Sequence, residues 1–121
     1  MRIFIILLSL TLFPMNTFAR DMATWGIVGT KCSQTISSTN RFGQNGRDAL
    51  SFSIQGFLTG YNSHVMLMDL QKKNRDKAKV INKYSLPDIT NMVLSRCRSN
   101  PNKSTYIVLI EIWRTLPIAR Y

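Results

Sequence analysis

Apolar residues recur at Leu50, Ile54, Phe57, Leu58 and Tyr61, a spacing that draws one stripe along a helix, so residues 47–62 are expected to be helical. A second stripe of small residues, Ala49, Ser53, Gly56 and Gly60, runs beside it. A glycine inside a helix costs about 1 kcal/mol, and the expected compensation is close approach of another backbone along this stripe. Ser53, Gln55, Thr59 and Asn62 make the segment too polar for the Gly56 and Gly60 spacing to pair helices inside a membrane.

Upstream, Trp25-Gly26-Ile27-Val28-Gly29 is expected to form an apolar loop. Thr30 then caps a short helix reaching about Asn40, with Cys32 and Ile36 on its inner face. Residues 41–46, with Asn45-Gly46 and a second glycine at 43, predict a turn. Downstream, Val65-Met66-Leu67-Met68 and Leu70 fit either a helix or a buried loop. Ser85-Leu86-Pro87-Asp88 is a helix start: a serine cap, a proline in the first turn and an acid three residues on. Ile89, Met92, Val93 and Cys97 line one face of that helix, and Asn100-Pro101 ends it. Ser104 is expected to cap a last element with Tyr106, Leu109, Ile110, Trp113 and Leu116 on one side. Its β-branched content also suits a strand. A helix is favoured because no partner strand is evident. The predicted fold is all-α, a small bundle of four or five helices forming a single domain at 20–121.

The first residues carry a different pattern. Met1-Arg2 precedes an apolar run of 11 residues from Ile3 to Phe13, then Pro14 and the small-residue site Thr17-Phe18-Ala19. This is the layout of a cleaved signal peptide at 1–19. The run falls short of the roughly 20 residues needed to span a bilayer, so a periplasmic or secreted protein is expected, and not an integral membrane protein. Export in turn bears on Cys32 and Cys97, the only two cysteines. An oxidising compartment favours a disulfide between them over the alternative, a reactive thiol assisted by His64.

The chain has 121 residues, 45% hydrophobic content and a net charge of +10. Lys72, Lys73, Arg75, Lys77, Lys79 and Lys83 crowd one stretch against a single acid, Asp76. Such a run is a candidate site for an anionic partner, because its local field speeds encounter. Nucleic acid is not the expected anion: Tyr84 is the only aromatic beside the cations, and recognition of single strands usually interleaves several. An acidic protein or an anionic envelope surface (lipid or polysaccharide) is expected instead.

Catalytic chemistry has little material. The six acids are scattered, and there is no GxSxG, HExxH or CxxC pattern. Gly26 to Lys31 lacks the gap and ending of a phosphate loop. A non-enzymatic protein without metal or cofactor is expected.

Three stretches occur in order: Gly29-Thr30-Lys31-Cys32-Ser33, then Ile54-Gln55-Gly56-Phe57-Leu58-Thr59-Gly60-Tyr61-Asn62, then Cys97-Arg98-Ser99-Asn100-Pro101. Together they resemble the HdeA-type periplasmic acid-stress chaperones, and more loosely the immunity proteins that guard the periplasm against type VI secretion amidase toxins. The resemblance implies an all-helical periplasmic domain with Cys32 bonded to Cys97, and it carries no catalytic residues. Phe52 and Ile54 stand where such proteins often have tryptophan, and Arg96 stands where an aromatic usually precedes the second cysteine. Among the functions implied, masking of a protein partner is favoured over an acid-activated chaperone. Neutralising the carboxylates of a chain already at +10 adds charge without reversing its sign.

Overall fold

The computed structural model describes residues 27–73 and 76–121. The expected leader at 1–19, Trp25 and Gly26 of the apolar loop, and the basic Arg75 lie outside the described residues. The described residues form three helices, α1 (Cys32–Leu70), α2 (Leu86–Ser99) and α3 (Thr105–Thr115), with short 3-10 turns at Ile27–Gly29 and Ile81–Lys83. The architecture is all-helical, with three helices among the described residues where four or five are expected from the sequence.

The difference in number has a local cause. The expected turn at 41–46 collapses to one residue, Gly43, whose φ of 54° and ψ of −129° leave helical geometry while its neighbours stay helical. Only glycine holds such a conformation without strain. The two helices expected on either side are therefore two arms of α1. They fold back sharply: a Cβ on Gly46 would lie 2.9 Å from the Thr39 carbonyl oxygen and 3.0 Å from the Thr39 Cα. In a straight helix, residues seven apart are separated by about 10 Å along the axis. At its far end α1 runs on through Val65 to Leu70, resolving the helix-or-loop alternative as helix.

The second arm of α1 buries Leu50, Ile54, Leu58 and Val65 against Ile89, Val93 and Leu94 of α2 and Val108, Leu109, Ile112 and Trp113 of α3. Of the α3 face expected from the sequence, Leu109, Ile110, Trp113 and Leu116 are buried, and the buried face is wider than expected. Val108 and Ile112 are fully buried, and Tyr106 only half-buried. Ser85 caps α2 as expected: its hydroxyl accepts from the Asp88 N–H at 3.2 Å, with Pro87 in the first turn. Ser104 sits at the N-cap of α3, but its side chain makes no capping bond.

The start of α1 is capped from across the molecule. Lys31, one residue beyond the expected Thr30, occupies the N-cap. The Cys32 and Ser33 N–H groups donate to the Lys103 and Pro101 carbonyls at 2.8 and 2.9 Å. The turn after α2 thus supplies acceptors that a helix start otherwise lacks. Cys32 and Cys97 are bonded at this junction, both fully buried. Closing a loop of 65 residues, the bond stabilises the fold by roughly 4 kcal/mol on loop-entropy grounds. Two fully buried threonines, Thr35 and Thr105, meet beside it, their hydroxyls 2.7 Å apart.

The small-residue stripe does not mediate close packing. Gly56 and Gly60 are exposed, and a Cβ on either would have nothing within 4 Å. The stripe lies opposite the buried face of α1, so its spacing marks a shared face while tertiary packing leaves that face in solvent. Among the described residues no helix is long and apolar enough to cross a membrane.

Candidate binding surface

After Leu70 the chain reverses. Lys72 adopts a left-handed conformation (φ 56°), while the Lys72 and Lys73 N–H groups return to the Asp69 and Met68 carbonyls at 2.8 and 2.9 Å. This is a Schellman closure with lysine in the position that glycine usually takes. Residues 76–80 then lie back along α1 as an extended strap.

Three attachments fix the strap. Near its start, the Lys77 ammonium pairs with the Asp69 carboxylate, which also accepts from the Tyr121 hydroxyl. At its middle, the Asn62 carboxamide acts as a surrogate strand edge. Its Oδ1 accepts from the Lys79 N–H at 2.6 Å and its Nδ2 donates to the Lys79 carbonyl at 3.0 Å. On the opposite edge, the Val80 N–H donates to the Pro117 carbonyl and the Ala119 N–H to the Ala78 carbonyl, at 2.7 and 2.8 Å. At its end, the Ile81–Lys83 turn brings Ile81 and Asn82 to Leu58 and Thr59 of α1. Fourteen helical residues separate Asp69 from Gln55, so the strap follows α1 for about 21 Å.

The five described candidate cations consequently occupy different settings. Lys72 and Lys77 line one open hollow with Asp69, Leu70 and Tyr121. Lys73 is exposed nearby, and Arg75 lies outside the described residues. Lys79 is half-buried, its ammonium 5.4 Å from the centre of the Trp113 ring. Lys83, at the other end, stands 5.9 Å from the Tyr84 ring. Two exposed apolar side chains line the same hollow, Leu70 at 64% and Tyr121 at 60% accessible, while Ile118, 58% accessible, pairs through its backbone with Lys79.

Asp69 is the electrostatic pivot. Hydrogen bonds from Lys77 and then Tyr121 hold its carboxyl below the usual range, while the same pairing raises Lys77 and Tyr121. Elsewhere, Lys103 lowers Glu111 through a 2.8 Å bond. Burial raises the Tyr61 phenol.

Sequence reasoning located the cations but not what organises them. In the sequence Asn62 stands out only as a polar residue of the helix and as part of a resembling motif, Asp69 as one scattered acid, and Tyr121 not at all. No periodic signal marks them, because each acts through a partner distant in the chain. Among the described residues no group of three or more His, Cys, Asp or Glu is placed to hold a metal ion. No protein-family model, curated protein or solved structure matches the chain.

Proposed function

We propose that this is a non-enzymatic exported protein that binds and masks an acidic protein partner across the strap face, in the manner of an inhibitor or immunity protein. One observation carries the reading: exposed Leu70 and Tyr121 line one hollow with Lys72, and the next residue, Lys73, is exposed as well. Apolar anchors with a charged rim are the usual anatomy of a specific protein interface. The cations speed capture and select an acidic partner, while burial of a leucine-sized side chain contributes about 1.5–3 kcal/mol. The signal-like residues 1–19 support an exported location, and the buried disulfide is compatible with it.

The test compares wild type with a triple variant of exposed cations, Lys72→Glu, Lys73→Glu and Lys83→Glu, as baits in an envelope extract. The expected result is one stoichiometric acidic protein that survives high salt on wild type and is lost from the variant. Retention of that protein by the variant, or recovery of lipid or polysaccharide alone, refutes the proposal.

A further inference from the structure

At the Lys83 end of the strap a groove of about 230 Å³ opens between α1 and the start of α2. Leu58, Ile81, Leu86 and Ile89 give it an apolar floor, and Tyr84 forms one wall. Gln55, Thr59 and Asn82 stand at its edges, and their side chains have no hydrogen-bond partner among the described residues. No charged residue lines it. Asp88, the acid nearest in sequence, is turned into the capping box with Ser85. The flanking charge is therefore Lys83, seated against Tyr84.

The geometry points to an anchor site for one aliphatic side chain carried on an extended acidic segment of a protein partner. The groove holds about one leucine-sized side chain. Gln55 on α1 and Asn82 on the Ile81–Lys83 turn each offer a carboxamide, a group that donates to and accepts from a peptide backbone at once. Lys83 meets a carboxylate beside the anchor, and the complementary sign follows from the +10 charge of the chain. An acyl chain would fill the floor but would use neither carboxamide, which favours a peptide as occupant. This inference rests on the proposed masking function and names the element of the partner that is recognised.

Three blocked octapeptides test it by two-dimensional NMR on the disulfide-bonded protein: an acidic one with a central leucine, the same with alanine, and the leucine peptide with its acids replaced by amides. The leucine peptide is expected to shift the amides of Gln55, Ile81, Asn82, Tyr84 and Ile89. Alanine in place of leucine should weaken binding about tenfold, roughly half the transfer free energy of the three carbons removed, as fits a half-enclosed site. The amide peptide should bind more weakly and lose its salt dependence. Gln55→Trp, which fills the groove from an exposed position, should abolish binding while leaving the melting temperature within a few degrees of wild type. Equal binding of the leucine and alanine peptides overturns the inference and leaves a purely electrostatic surface. Displacement of the leucine peptide by dodecyl phosphate overturns it in favour of an acyl ligand. Absence of binding by all three peptides overturns it too, while partner capture by the strap cations stands or falls on the separate charge-reversal experiment.

Discussion

Three glycines of α1 differ in what surrounds them, and alanine at each position separates the packing arguments. Gly56 and Gly60 are in the interior of a helix, with open space where a Cβ would stand. Alanine there meets no atom and removes backbone freedom from the unfolded chain. Each substitution is expected to stabilise the protein by about 0.8–1 kcal/mol. The sites are one helical turn apart and share no packed neighbour, so the double variant should gain about 2 kcal/mol. For a domain of this size that raises the melting temperature by roughly 8–12 °C. Gly46 is the opposite case. Its Cβ would sit 2.9 Å from the Thr39 carbonyl oxygen and 3.1 Å from that of Ser38, both backbone atoms that move only if the two arms part. Gly46→Ala should cost about 2 kcal/mol or more despite the better helix propensity. Near-UV circular dichroism during thermal and urea unfolding, with the disulfide intact, measures all three. Destabilisation by Gly56→Ala or Gly60→Ala would mean that the small-residue face is covered, and would refute the orientation of α1 described above. A neutral Gly46→Ala would refute the fold-back at Gly43.

Two further outcomes follow from the strap. Asn62→Ala removes both bonds to Lys79 and the acceptor of the Trp113 indole N–H, 3.2 Å away. It should destabilise by about 2–4 kcal/mol and greatly speed amide exchange at Lys79 and Val80; retained protection there would show that the C-terminal edge alone holds the strap. The depressed Asp69 pKa predicts a stabilising contribution that is present above the ordinary carboxylate value and is lost as pH falls through the lower folded-state value. Carboxyl NMR should therefore find Asp69 titrating below that ordinary value in wild type and moving up towards it in Lys77→Met; an unchanged midpoint in the variant would refute the role of Lys77.

What the sequence discloses about this fold follows the range of the forces involved. The cap of α2 is legible because Ser85, Pro87 and Asp88 act on one another within a single turn. The core stripe of Leu50, Ile54 and Leu58 is legible because helical period alone puts them on one face. The same period places Gly56 and Gly60 together but does not say whether anything covers them, and their exposure is decided by how α2 and α3 pack on the other side. The turn at 41–46 was visible as glycine and asparagine, yet its collapse to Gly43 depends on Gly46 admitting the Thr39 backbone. The strap was least legible. Asn62 and Lys79 are 17 positions apart, and Tyr121 lies 52 positions from Asp69, so no local pattern records either pairing.

The strap also divides the basic run by task. Lys77 is satisfied by Asp69, and Lys79 is spent on the Asn62 carboxamide through its backbone and on the Trp113 ring through its ammonium. A partner carboxylate approaching Lys77 must compete with an internal one, and approaching Lys79 it must draw the cation off an aromatic face, so neither gives much net attraction. Lys72 and Lys73 at one end and Lys83 at the other have no partner acid among the described residues, and although Lys83 stands 5.9 Å from the Tyr84 ring, both of these residues are exposed where Lys79 is half-buried. The attractive field of the proposed surface is thus concentrated at its two ends, about 21 Å apart along α1, with apolar contact between and beside them. The five described cations of a run that looks uniform in sequence thus form two separated charge centres joined by a structural tie. That spacing favours a folded acidic partner presenting carboxylates at matching positions over a flexible polyanion, which would gain as much from any clustered arrangement of the same lysines.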